Sequence, residues 1–340
     1  MDHVRFGSTG LKVSRLCLGT MGFGSSAWKG WVLDEGASVP ILKRALDLGI
    51  SFFDMADWYS LGRGEEVVGR NLLRMARREE LVLATKVFYP MSGAPNDGGL
   101  SRGHVLSSID ASLRRIGTDH VDLYIIHAFD PETPIAETME ALHDVVRAGK
   151  ARYLGASTMY AWQLAEMNAV ARQNGWTPFV NMQCQLSLLY REEEREMLPY
   201  CAHAGMAVTT FSPLARGYLA GGGSNLRTRF DPYLEWFGDA IDREIARRTA
   251  QVAEQRGVAP AAVAMAWVAG HPGVTAPLIG ADAPDQVDAA VAAAGMQLSD
   301  EERAYLEAAY RPRDMINDYN PVRRARALNE ETLAEEEQRA

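Results

Sequence analysis

The chain has 340 residues, 47% of them hydrophobic and 23% charged, a balance that supports a sizeable buried core and excludes wholesale disorder. With 35 Lys and Arg against 44 Asp and Glu, the net charge is −9, so there is no electrostatic footprint for nucleic acid or an anionic membrane, and a small molecule or another protein is the expected partner. The start lacks a basic segment followed by an apolar run, no stretch approaches about 18 uninterrupted apolar residues, and Cys17, Cys184 and Cys201 form neither a disulfide framework nor a zinc-ligand pair; the expected location is the cytoplasm.

In chain order, residues 4–13 read as two short strands around Ser8-Thr9-Gly10, a hairpin able to plug the bottom of a barrel. Short apolar runs then alternate with amphipathic segments. Strands are predicted at 15–19, 51–55, 81–86, 121–127, 151–155, 179–182, 207–211 and 274–279, with helices near 37–48, 64–78, 103–116, 135–148, 160–174, 192–204, 240–256 and 284–294. Gly49, Gly117, Gly149, Gly175 and Gly205 stand where helix C-termini should close. Residues 212–239 form a long Gly-rich loop after the seventh strand, and residues 311–340 a charged tail, expected to be a solvated helix or frayed end. Eight strand-helix units without a low-complexity linker predict one α/β domain over residues 1–340: an (α/β)8 TIM barrel with the N-terminal hairpin as cap and a C-terminal extension. A doubly wound sheet also alternates strand and helix, but it does not call for eight even units or lack a glycine fingerprint.

A parallel barrel opens all its strand C-termini on one face, so residues closing the strands can meet around a ligand. The second strand ends at Asp54 with Tyr59 just beyond, the third at Lys86 and the fourth at His127, each ionisable group ending an apolar run. Taken singly, Asp54 or Asp57 could cap a turn, Lys86 could reach solvent, His127 could be a satisfied core histidine, and Tyr59 is one of twelve tyrosines. Four such groups at the ends of three successive strands point instead to a proton-transfer site. An ammonium beside a phenol favours the phenolate and lowers a pKa that is about 10 when unperturbed, making Tyr59 a general acid near neutral pH. Asp54 would keep Lys86 charged and oriented, and His127 would hydrogen-bond a carbonyl oxygen beside the phenol. No nucleophile, metal cluster or carboxylate pair accompanies them, so the reducing electrons must come from an external hydride donor, which points to a nicotinamide cofactor.

The segments ending at Asp54 and Tyr59, Ala-Thr-Lys86 and Tyr-Ile-Ile-His127 resemble the Asp, Tyr, Lys, His tetrad of the aldo-keto reductase superfamily. Gly155-Ala-Ser157-Thr158, Met-Gln183 and Phe211-Ser-Pro-Leu-Ala-Arg216-Gly are similar to its cofactor segments, in the same order. The resemblance implies an oxidoreductase that moves hydride between NADP(H) or NAD(H) and a carbonyl or alcohol, with Tyr59 as proton donor, Lys86 and Asp54 tuning it, and His127 orienting the carbonyl. It further implies that Ser157, Thr158 and Gln183 hold the carboxamide end, that Phe211 stacks on the nicotinamide ring, and that Ser212, Leu214 and Arg216 border the pyrophosphate. Gly19, Thr20 and Met21 would border the ribose-nicotinamide end, and no metal is implied. The eighth-strand segment Gly280, Asp282 and Gln286 departs from the family: it lacks the basic residues that many relatives place on the 2′-phosphate, and Asp282 would repel a phosphate but accept from a free ribose hydroxyl. Cofactor selectivity is therefore expected to be modest, with Arg227 and Arg229 as cations available from the long loop.

Aromatic residues in the predicted mouth loops, Trp28, Trp31, Trp58, Phe88, Tyr89, Phe129, Trp236 and Phe237, favour an aromatic or bulky aldehyde or ketone. A cofactor-sensing regulatory barrel subunit, and a lyase or epimerase with transient cofactor use, stay open as alternatives. Substrate identity, physiological direction and oligomeric state are left open.

Overall fold

In the computed structural model, which describes residues 1–221, 234 and 236–315, strands β1 (His3–Arg5) and β2 (Lys12–Ser14) pair antiparallel. The turn between them sends Phe6 inward against Phe52, ring centroids 5.8 Å apart and edge to face, so the hairpin closes one end of the molecule as predicted. After β3 (Cys17–Gly19), the loop before the first helix carries a short parallel pair, β4 (Phe23–Gly24) and β5 (Leu33–Asp34). The strands β6 (Phe52–Asp54), β7 (Val82–Val87), β8 (Val121–Ile126), β9 (Ala151–Ser157), β10 (Phe179–Gln185), β11 (Ala207–Phe211) and β12 (Ala276–Ile279) complete, with β3, a closed parallel barrel in chain order. This is the (α/β)8 barrel expected from the sequence. Arg227, Arg229 and the tail beyond Met315 lie outside the described residues.

Side chains alternate inside and outside along each strand. Phe52, Val82, Ala84, Leu123, Ile125, Ala207 and Leu278 fill the barrel interior with Phe6 and Val13, whereas their neighbours Phe53, Leu83, Tyr124 and Ile126 face the helices. Stepping two residues on from this inward series reaches Asp54, Lys86 and His127. The apolar plug thus ends and a polar layer begins at the C-terminal rim, because the same two-residue period continues past the core. The register fixes the layer: Gly19 pairs with Asp54, Asp54 with Ala84, and Lys86 with Ile125.

Around the barrel run α1 (Glu35–Asp47), α2 (Arg63–Met75), α3 (Arg102–Ile116), α4 (Ile135–Arg147), α5 (Ala161–Gln173), α6 (Met197–Ala204), α7 (Ala240–Arg256), α8 (Pro260–Ala269), α9 (Pro284–Ala294) and α10 (Asp300–Glu307). Two of these were not predicted. Every residue of α8 from Val263 to Ala269 is buried, so its sequence is apolar all round and shows no 3.6-residue stripe; the usable signals were Gly257 closing α7 and Pro260 at the first helical turn. The start of α10 carries a capping box, in which Ser299 accepts from the Glu302 amide at 3.2 Å and Glu302 accepts from the Ser299 amide at 2.7 Å. The segment predicted as a helix over 192–204 opens instead as a 3-10 turn, Glu192–Glu194, before α6.

The start of the C-terminal extension is tied down rather than frayed. Arg313 donates to the buried Asp242 carboxylate at 2.5 Å, and its amide donates to Glu192 Oε1 at 2.8 Å. A carboxylate with no exposed surface needs a cation partner, and the chain beyond α10 supplies it.

Helices α2 and α3 approach closely at Gly69, where a Cβ would lie 2.6 Å from the Ile116 Cα and against the Ile116 carbonyl oxygen. Backbone cannot yield as a flexible side chain can. Gly69→Ala is expected to cost about 1–3 kcal/mol, read as a lowered thermal unfolding midpoint; an unchanged midpoint would show that the two helices can separate freely.

Candidate active site

Lys86 ends the inward face of β7 with no exposed surface, which would leave an ammonium without water. It is satisfied by three acceptors: Asp54 Oδ2 at 2.5 Å, the Met55 carbonyl at 2.8 Å and Tyr59 Oη at 3.0 Å. Asp54 takes a second contact on its other oxygen, from the Gln183 amide at 2.9 Å. Tyr59 reaches the group because the chain leaving β6 turns sharply, with Ser60 and Leu61 in left-handed backbone at φ 52° and 50°. Non-glycine residues hold that conformation only where their surroundings impose it. Burial alone would lower the Lys86 pKa, but the Asp54 carboxylate and the Tyr59 oxygen outweigh it and hold the ammonium above its ordinary value.

His127 follows β8 and meets Tyr59 edge to face, ring centroids 5.8 Å apart. Its Nδ1 is buried without a hydrogen-bond partner among the described residues. Desolvation, then the Lys86 charge, push its pKa well below the ordinary range, so the ring is a neutral imidazole that can offer Nε2–H to an oxygen in front of the phenol. The sign of the linked stability follows. Below about pH 6.5 the unfolded chain binds a proton at this position that the native chain refuses. Chemical denaturation at descending pH is expected to show stability falling from there until the depressed native value is reached; stability that rises through this window would contradict the neutral ring.

Asp57, two residues before Tyr59, does not cap the following turn. Both its oxygens are buried, neither has a hydrogen-bond partner of good geometry among the described residues, and burial, reinforced by Glu65, raises its pKa well above the ordinary carboxylate value. Glu65 itself is buried and takes Thr85 Oγ1 at 2.5 Å and Arg115 Nε at 2.6 Å, which fixes the start of α2 behind the site. The sequence reading missed this pair, since nothing local marks Glu65 as interior.

The other predicted residues fall into two groups. Beside the tetrad, Ser157 donates to the Gln183 carbonyl at 2.9 Å and lies 3.2 Å from the Thr158 hydroxyl, with Thr158 left-handed at φ 50°. Gly19, Thr20 and Met21 leave β3 next to Asp54, whose carbonyl accepts from the Thr20 amide at 3.0 Å and the Thr20 hydroxyl at 2.9 Å. Phe211, Ser212, Leu214 and Arg216 are half-buried at the end of β11, where Ser212, Ala215 and Arg216 are all left-handed. Gly280, Asp282 and Gln286 stand apart, exposed at the end of β12, with the Asp282 amide donating to Gln286 Oε1 at 2.8 Å.

An extended nicotinamide dinucleotide fits this donor set. The buried Gln185 Nε2, one inward position beyond Gln183, lacks a partner among the described residues, and the turn after β11 is left-handed at Ser212, Ala215 and Arg216. The fit is weakest at the β12 end, where Asp282 and Asp285 are exposed acidic residues.

Several aromatic residues picked from the loops form a continuous wall. Trp28 meets Trp58 at 5.0 Å between centroids, Trp58 stacks on Tyr89 at 4.7 Å, and Tyr89 meets His127 at 4.9 Å. Phe129 lies 6.3 Å from Trp162, an exposed tryptophan that the sequence reading passed over because it sits inside the helical pattern of α5. Trp31 and Phe88 are largely buried, and Phe237 packs against Tyr218 at 6.4 Å.

Comparison with known proteins gives a consistent picture. A family model described as the aldo/keto reductase family matches residues 15–311. The chain is similar to a versiconal hemiacetal acetate reductase of Aspergillus parasiticus, 41% identical over 92% of this chain and 98% of that protein. It is also similar to an aldo-keto reductase of Alternaria alternata, 40% identical over 90% of this chain and 91% of the relative. A Saccharomyces cerevisiae protein provisionally named an aryl-alcohol dehydrogenase is 36% identical over 92% of this chain and 98% of its own length.

Proposed function

This chain belongs to the aldo/keto reductase family, and from that premise we propose that it is an NAD(P)-dependent reductase of aromatic or bulky carbonyl compounds, with Tyr59 as the proton donor. The observation that carries the reading is the buried ammonium of Lys86 bound at once to Asp54 and to the Tyr59 phenol. Ser157, Thr158, Gln183, Phe211, Ser212, Leu214 and Arg216 would hold the nicotinamide and pyrophosphate of the cofactor, with Gly19–Met21 at the ribose and Gly280, Asp282 and Gln286 towards the adenosine. When bound, that cofactor supplies the hydride.

The chain's own residues do the rest. His127, kept neutral, donates Nε2–H to the substrate carbonyl oxygen and sets it beside the phenol. Tyr59 passes its proton to that oxygen as negative charge develops there. Lys86 stabilises the phenolate left behind, and Asp54 holds Lys86 in place and offsets its charge. The aromatic wall beside His127 excludes water and takes the aryl face of the substrate.

The reading is tested with purified protein, 4-nitrobenzaldehyde and either reduced cofactor. One alcohol is expected per cofactor oxidised. Product without net cofactor consumption would favour lyase or epimerase chemistry, and tight cofactor binding without turnover of any carbonyl would favour a sensing role. Parallel titrations with NADPH and NADH are expected to differ only modestly, since the β12 segment offers an acidic group where a 2′-phosphate would need a cation. A preference of several thousandfold for NADPH would overturn that part of the reading.

A further inference from the structure

His127 follows β8, and the next rim loop round the barrel, after β9, leads into a tryptophan that faces water. Trp162 stands at the second position of α5 with 59% of its surface exposed, and the ring it meets is Phe129, half-buried, at 6.3 Å between centroids. Helical side chains lean towards the N-terminus of their helix, and the N-terminus of α5 is its rim end, four residues after Ser157 closes β9. The indole is therefore carried towards the mouth rather than down the outside of the barrel.

Phe129 links that indole to His127. It follows the histidine by two residues, at most about 7 Å of chain, and its amide donates to the Thr158 carbonyl at 3.4 Å, which joins the loops after β8 and β9. The next residue, Asp130, is buried and accepts from the Leu100 amide at 2.8 Å, the Glu132 amide at 2.9 Å and the Thr133 hydroxyl at 2.7 Å. Phe129 thus sits on an anchored loop, and a ligand settling there meets surface that is already ordered. A singly exposed apolar residue is ordinary. Trp162 differs because it extends a series that starts at His127, and its uncovered ring is apolar surface that a bound apolar group would remove from water. The charged residues of segments 128–137 and 158–166 are Asp130, Glu132, Glu137 and Glu166, every one acidic, so this lip suits an uncharged group and repels an anion.

We propose that Trp162 is a specificity residue and that the preferred substrates are elongated, uncharged aryl aldehydes or ketones, whose apolar far end passes over Phe129 and rests on the indole. This rests on the reductase reading above and narrows its substrate class.

The test compares benzaldehyde with 4-(benzyloxy)benzaldehyde in the wild type, Trp162→Ala and Trp162→Phe, at saturating reduced cofactor. The second ring of the longer aldehyde probes the lip, which benzaldehyde is too short to reach. In Trp162→Ala, kcat/KM for the longer aldehyde is expected to fall about tenfold further than that for benzaldehyde, as for losing roughly 55 Å² of buried apolar surface, and the loss should sit in KM. Trp162→Phe keeps an aromatic face and should retain most of the preference. A carboxylate on the far ring should raise KM in the wild type; a lowered KM would overturn the choice of an uncharged group. Equal losses for the two aldehydes would mean that the indole merely packs the start of α5, and no change in either that it is ordinary surface; each overturns the proposal. So does a dimer, seen in sedimentation, that Trp162→Ala dissolves without altering the ratio between the aldehydes, since a second copy would then cover the indole. Calorimetric binding of the non-reducible benzamide and 4-(benzyloxy)benzamide separates the two readings. If the wild type reduces neither aldehyde but the longer amide alone binds more weakly to Trp162→Ala, the reductase reading fails and the apolar lip stands; if the longer amide binds both proteins alike, the lip fails whatever the turnover.

Discussion

Tyr59→Phe is expected to lower kcat for aldehyde reduction by about a thousandfold, within the range that one positioned general acid contributes, while the protein folds and binds cofactor nearly as the wild type does. The substitution removes one oxygen. That oxygen has Lys86 at 3.0 Å, and without it the ammonium keeps Asp54 and the Met55 carbonyl, so no buried charge is stranded. The aromatic ring keeps its place against His127. What is lost is the proton that the developing oxyanion needs and the phenolate that Lys86 would have stabilised. A variant that reduces the aldehyde within tenfold of the wild type would show that another group supplies the proton and that the assignment of Tyr59 is wrong.

Lys86→Met is expected to be damaging in a different way, to stability as well as to turnover. Removing one partner of a buried ion pair strands the other, at about 3–5 kcal/mol. Among the described side chains Asp54 would keep the Gln183 amide alone, and the Tyr59 oxygen would lose the contact from Lys86. Urea unfolding should show the loss directly, and the double variant with Asp54→Asn should lose less than the two single changes together, because the second removes the charge that the first exposes. Additive losses would mean that the pair is not coupled as its geometry requires. The pH dependence has a definite sign. The folded-state pKa of Lys86 lies above its ordinary value, so the stability it contributes is complete below about pH 10.4 and declines only as the pH climbs from there towards the raised value.

The barrel was legible because its evidence is local. Each barrel strand is a short run rich in apolar residues, most of the helices are amphipathic stretches and several of them are closed by a glycine, and the alternation survives in the one-dimensional text. Asp54, Lys86 and His127 were legible for a related reason: each sits at the end of an apolar run, in phase with the inward series that includes Phe52, Ala84 and Ile125. Helix α8 was hidden because burial on all sides erases the stripe by which helices are read, and the anchoring of Arg313 was hidden because Asp242 carries no local sign of being buried.

The sequence by itself therefore determined the architecture, the four groups at the rim and the aromatic character of the mouth loops. Only the tertiary structure decided which group neutralises which: Lys86 between Asp54 and Tyr59, Gln183 on the far oxygen of Asp54, and Glu65 behind them on Thr85 and Arg115. Residues are placed inside or outside by a two-residue period that any strand displays, whereas a partner on another strand, 32 positions away for Asp54 and Lys86 and 129 for Asp54 and Gln183, is chosen by how the strands register when the barrel closes.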